Sequence, residues 1–138
     1  MTSTPHALIN PPGLAPPVGY SHAVVAAPGR TVYLGGQAAL DAEGRVIGGS
    51  LVEQFDRACA GVVEALRAAG GRPEHLVSLQ IFTTDAAAYR ASLRELGEVY
   101  RRHFGRHYPA MILVEVRGLF DPGLMVELLG VGVIPEEG

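Results

Sequence analysis

The chain contains no lysine: all 11 of its Lys and Arg side chains are arginine. That excludes chemistry running through a side-chain amine, including a Schiff base and a P-loop lysine. Tryptophan is absent and aromatics make up only 7% of the residues, so Ala, Val and Leu have to build the core. The single cysteine, Cys59, excludes an intrachain disulfide and a multi-thiolate metal centre. Positive charge is scarce as well: 14 acidic residues leave a formal charge of −3. That argues against a general nucleic-acid binder, and no nucleic-acid partner is expected. No apolar run reaches the length of a membrane span. The first residues, MTSTPHALINPPG, have neither the basic n-region nor the apolar h-region of a signal peptide. A soluble cytoplasmic protein with no membrane partner is the expectation.

What is present fits one domain with one core: 138 residues, 48% of them hydrophobic. Residues 1–17 carry Pro5, Pro11, Pro12, Pro16 and Pro17, and read as an irregular lead-in. The domain proper is placed at 18–134, with 135–138 as a tail. Strands are expected at 18–27 and 31–37, separated by a Pro28-Gly29 turn, with a short one at 45–47. Ser50 and Glu53 have the spacing of a capping box and open a helix that Gly70-Gly71 ends. Leu51, Phe55, Ala58, Cys59, Val62 and Leu66 share its apolar face; Glu53, Gln54, Asp56 and Arg57 are assigned to the solvent side. Cys59 therefore reads as a small buried hydrophobe. A strand follows at 76–83. Asp85 caps a second helix running to about His103, with Tyr89, Leu93, Leu96 and Tyr100 on its apolar face.

The stretch from Tyr108 to Ile134 holds two β-branched apolar runs around Asp121-Pro122-Gly123, and reads as a buried β-hairpin. The element order is β-β-(β)-α-β-α-β-β, an α+β domain whose mixed sheet has two helices on one face. Strands apolar on nearly every residue are strands covered on both sides. The second cover is expected to be another copy of the chain, hence a homo-oligomer. Inside the second run sits one ionisable residue, Glu127. A carboxylate there costs free energy unless it is paired or faces a cleft, so Glu127 is the catalytic candidate. The plainer reading is an outward carboxylate, or half of an ion pair with Arg117 or with an arginine of another subunit.

Other constellations are weaker. Gly35-Gly36-Gln37 lacks both phosphate-loop patterns and no helix starts after it, so it reads as a strand end that a ligand or neighbouring subunit approaches closely. His103 and His107 stand four apart, but Gly105 separates them and Arg101, Arg102 and Arg106 crowd them. These cations complement a helix C-terminus, and no metal site is expected. Ser21 and His22 are neighbours on a strand, point to opposite faces and make no triad.

The residues now resemble a known family. Pro109-Ala110-Met111, Val114-Glu115-Val116 and Val126-Glu127-Leu128 resemble the C-terminal signature of the RidA family, also called YjgF or L-PSP endoribonuclease-like. Gly19-Tyr20-Ser21-His22-Ala23 is similar to its G-x-Y-S-x-A motif, and Leu34-Gly35-Gly36-Gln37 to its S-G-Q strand end. The resemblance implies a chorismate-mutase-like fold and a homotrimer with a barrel core and three inter-subunit clefts. It implies hydrolysis of 2-imino acids or enamines such as 2-aminoacrylate, without a cofactor. In the family an arginine grips the substrate carboxylate, a Glu matching Glu127 positions water and a Tyr matching Tyr20 lines the cleft. The cleft residues implied are Tyr20, Gly35, Gly36, Gln37, Tyr89, Met111 and Leu113, with Arg117 as a substitute cation. The chain departs from the pattern where it matters: Met111 replaces the arginine, Gly35 the serine, and Leu113 a small or thiol residue. A thioether has no charge and no donor, so the cleft is expected to be more apolar. Three functions follow as expectations: a hydrolase or deaminase with altered substrate choice, a non-catalytic trimer binding a small metabolite, or, weakest, an endoribonuclease.

Overall fold

The computed structural model describes residues 3–136; Glu137 and Gly138 of the tail lie outside the described residues. Helix α1 (Leu51–Ala68) begins where the capping pattern places it. Ser50 Oγ accepts from the Glu53 N–H at 3.1 Å, which satisfies one of the free amides of the first turn. Helix α1 packs on one face of a sheet, beside a second helical layer. That layer is broken. Asp85 caps α2 (Ala86–Ala91), Ser92 leaves helical geometry, and α3 (Leu93–Phe104) starts afresh and ends at Gly105, whose φ is +66°.

The sheet corrects the expected hairpin. Strand β5 (Leu76–Thr83) lies between β6 (Ala110–Glu115) and β7 (Val126–Pro135), which do not pair with each other. The α2–α3 crossover delivers β6 parallel to β5 on one side. The chain then returns through residues 116–125 and lays β7 antiparallel on the other side. The Asp121 turn is present, its Oδ1 accepting from the Gly123 N–H at 2.8 Å. It serves a wide crossing over β5 instead of a tight hairpin. An apolar run reports burial but not which strand covers it. Beyond β7 come β3 (Gly29–Tyr33) and β4 (Gln37–Ala38), both antiparallel to it. Gly29 is thus a strand residue and not a turn, and Pro135 belongs to β7. Residues 45–47 form only a bridge, Leu40 with Val46.

The proline-rich lead-in also carries structure. Strand β1 (Ala7–Ile9) pairs with β2 (Ala23–Val25), shorter than the strand expected at 18–27. The prolines bound β1 and leave its interior free to donate hydrogen bonds. Ser21 is buried and bonds to the backbone of Tyr108 and Pro109, which ties this ribbon to the start of β6.

The core lies between the helices and the sheet. Phe55, Cys59, Val62 and Leu66 of α1 meet Leu76, Leu79, Val126 and Leu128. Burial pushes the Cys59 thiol well up, so it behaves as a packing residue. One member corrects the amphipathic reading of α1. Gln54 is 1% exposed, donates to the carbonyls of Gly48 and Gly123, and accepts from the Met125 N–H at 2.7 Å. It joins α1 to two loops. Gln54→Ala strips a donor from two carbonyls and an acceptor from one amide. Unfolding in urea is expected to show a loss of about 2–4 kcal/mol at unchanged m-value. A loss below about 1 kcal/mol means that water replaces the amide.

Candidate functional site

Strand alternation divides the site residues between two faces. On β7, Val126, Leu128 and Gly130 are buried against the helices, while Glu127, Leu129 and Val131 point the other way. Glu127 stands beside Phe82 of β5 and Ala38 of β4. Its carboxylate lies directly against the backbone of Gly36: a Cβ there would fall 2.1 Å from Oε2. The missing side chain at Gly36 is what lets the carboxylate occupy this place. Glu127 is half-buried, and no ion pair among the described residues uses it, Arg117 included. Gln37, one step on, points to the opposite face, where its side chain approaches Gly61 of α1. Gly35 is exposed with open space around it.

The other candidates line a groove of about 690 Å³ on the helix side of the sheet. Met111 and Leu113 pair with Leu79 and Ile81, whose side chains are buried toward the helices, so both face the groove from β6. Tyr20 closes one end and Tyr89 of α2 another wall. The groove is aromatic at its base. Tyr89 meets Phe55 edge-on, with centroids 6.1 Å apart, and burial pushes its hydroxyl up to about 12. Tyr100 stacks on Tyr108 at 5.2 Å and donates to the His107 carbonyl at 2.6 Å, and burial likewise drives its hydroxyl far up.

Arg117 is exposed in the connection after β6 and is not part of the groove. The cation that does line it is Arg101 of α3, a residue the sequence reading assigned to the helix C-terminus. The signal was there in spacing: Leu93, Leu96, Gly97, Tyr100 and Arg101 recur on one helical face, and all five line the groove. His103 bonds Asp56 of α1, which also pairs with Arg102, while His107 is buried and donates to the Leu76 carbonyl. The two imidazoles therefore do not converge.

Glu127 and Met111 stand two strands apart and three residues out of level, on opposite faces of one sheet. One copy of the chain does not present both to one small ligand.

The fold and these positions can be set beside known proteins. Residues 12–134 match the family described as Endoribonuclease L-PSP. The chain belongs to this family. A solved Rid-family protein of unknown function, YyfB from Yersinia pestis, superimposes with a TM-score of 0.84 at 30% identity, covering 94% of this chain and 98% of that one. Among characterised relatives, a 2-iminobutanoate/2-iminopropanoate deaminase from Capra hircus is 30% identical over 115 residues, 83% of this chain and 79% of the relative. Protein DfrA from Myxococcus xanthus is 33% identical over 115 residues, 83% of this chain and 84% of that protein. The RidA-type fold, a mixed sheet with helices on one face, is thus shared across the chain. No helix among the described residues is long and apolar enough to cross a membrane.

Proposed function

We propose that the protein is a Rid-type imine or enamine hydrolase working as a homotrimer. Its ligand would lie in clefts between subunits, with Glu127 from one copy facing the groove of another. The observation that carries the reading is Glu127 itself: a half-buried carboxylate that, among the described residues, has no ion-pair partner, seated on Gly36 and on the sheet face opposite the helices. That face also supports self-association. Tyr33 is 80% exposed on it, Ile112 is 53% exposed, and Phe82, Leu129 and Val131 lie beside them. Packing such faces together would bury apolar surface and bring Glu127 to a neighbour's edge strand β6. The deaminase activity named for the Capra hircus relative supports the reaction class.

In this reading Glu127 takes a proton from water as the oxygen adds to the C=N carbon, and the nitrogen gains a proton. Glu127 supplies that proton to the nitrogen, and the carbinolamine then collapses: the hydroxyl proton passes through Glu127 to the same nitrogen as the C–N bond breaks, the carbonyl forms and ammonia leaves. Imine and water give ketone and ammonia, and Glu127 ends as it began. Met111 shifts substrate choice away from the smallest imino acids, because a thioether offers a carboxylate nothing.

The first test is 2-aminoacrylate hydrolysis in a coupled dehydratase assay, with native protein and Met111→Arg side by side. The variant is expected to gain roughly ten- to a hundredfold in kcat/KM, the worth of a bidentate charge-assisted contact. Inactivity of both, with assembly intact, would favour the second reading, a trimer that binds a metabolite without turnover. The lost arginine is the observation on that side.

A further inference from the structure

We infer that Arg101 is the carboxylate-anchoring residue of this protein, and that the groove takes a 2-imino or 2-keto acid bearing a large apolar or aromatic side chain. The inference deepens the function proposed above and rests on the groove being its ligand site.

Arg101 is the one charged side chain in a lining that is otherwise apolar, aromatic or glycine. It is exposed, and none of the ion pairs among the described residues uses it. Its neighbours on α3 are committed elsewhere: Arg102 pairs with Asp56 at 3.7 Å and His103 bonds the same carboxylate. The guanidinium is also aimed. Gly97 stands one turn before it, and a Cβ added there would lie 3.2 Å from Nη1. Arg101 thus folds back along α3 over Gly97, which itself lines the groove.

A guanidinium beside an apolar wall, with no acid to neutralise it, is complementary to a carboxylate, which it can hold by two parallel N–H···O bonds. Its position sets the size of the partner. Arg101 approaches from α3, whereas Met111 and Leu113 form the β6 wall opposite, and Tyr20 and Tyr89 close the sides. A ligand held at Arg101 has the apolar part of a volume of about 690 Å³ to fill. A two-carbon side chain covers little of this apolar lining, and a phenyl or branched alkyl group covers more of it. Met111 then acts as apolar lining, with the cation displaced from strand to helix.

The experiment is a calorimetric titration of the full-length protein with phenylpyruvate and with its uncharged counterpart, benzyl methyl ketone. Four proteins are compared: native, Arg101→Gln, Arg101→Lys and Arg117→Gln. Native protein should bind phenylpyruvate at least tenfold more tightly than pyruvate. Arg101→Gln should weaken phenylpyruvate by roughly tenfold or more and leave the neutral ketone unchanged. Arg101→Lys should recover part of the loss, and Arg117→Gln should bind as native does. Equal binding of phenylpyruvate by native and Arg101→Gln overturns the inference, as does an equal loss for both ligands or no binding by native protein. Because the readout is binding, a failure of the hydrolysis reading is seen separately, as absent turnover in a protein that still discriminates the two ligands through Arg101.

Discussion

Glu127→Gln is expected to lower kcat for imine or enamine hydrolysis by about 10² to 10⁴, with KM changing by no more than a few-fold. The amide keeps the shape of the carboxylate and its place against Gly36, but cannot take a proton from water. No ion pair is lost among the described residues, so folding and assembly should match native protein by circular dichroism and sedimentation. Gly36→Ala provides the positional check. Its methyl group would arrive 2.1 Å from Oε2, so the carboxylate must swing away while remaining present. A matching fall in kcat there would say that the placement of Glu127 matters as much as its charge. A fall of less than tenfold in Glu127→Gln would remove the residue from the role of base.

How far this site was legible in the sequence depends on what each pattern encodes. Strand β5 has the expected bounds, 76–83, and α1 opens at the Ser50 cap, because capping and periodicity are local chemistry. Pairing is not local. Nothing in residues 108–134 reveals that β5 separates β6 from β7, since that order follows from the α2–α3 crossover placing β6 beside its own parent strand. The same limit hid the division of the site. Met111 and Glu127 look like parts of one apolar hairpin, yet register puts them on opposite faces of the sheet.

Residue chemistry misled where spacing was sound. Gln54 follows Leu51 by three and precedes Ala58 by four, the interval of the buried stripe, but its polarity placed it outside. Arg101 fell with its basic neighbours for the same reason, although it shares the face of Leu93 and Gly97. A polar side chain at a buried interval is a candidate for a hydrogen-bonded or ligand-facing role before it is solvent cover.

Acid is expected to destabilise the fold through imidazoles that the proposed chemistry does not use. His6, His75 and His107 are each no more than 6% exposed and meet where the N-terminal segment crosses the start of β5. The hydrogen bond that His75 accepts requires a neutral ring. His6 donates from Nε2 to the His75 carbonyl at 3.0 Å and accepts at Nδ1 from the Ala27 N–H. His75 accepts at Nδ1 from the Arg72 N–H at 3.0 Å. His107 donates from Nε2 to the Leu76 carbonyl at 2.7 Å, and its Nδ1 is buried with no partner. A proton on that nitrogen would be a buried charge without an acceptor. Burial accordingly holds His75 and His107 below their ordinary value of 6.5, against the opposing pull of Glu74 on His75 and of the Leu76 carbonyl on His107. As the pH falls below 6.5, the unfolded chain takes up protons that these folded rings refuse, so stability falls with it; above that range it is fully present. The limiting slope for two such groups is about 2.7 kcal/mol per pH unit. Asp41, held low chiefly by the backbone N–H of Arg45, adds its own loss only below its ordinary value of 3.8, a separate window. Urea midpoints measured from about pH 8 down to about pH 4.5 should show a plateau and then a steady decline. In the double variant His75→Gln, His107→Gln the decline over that range should flatten, because glutamine still accepts or donates but does not titrate. An unchanged slope in the double variant would mean that the acid sensitivity resides elsewhere.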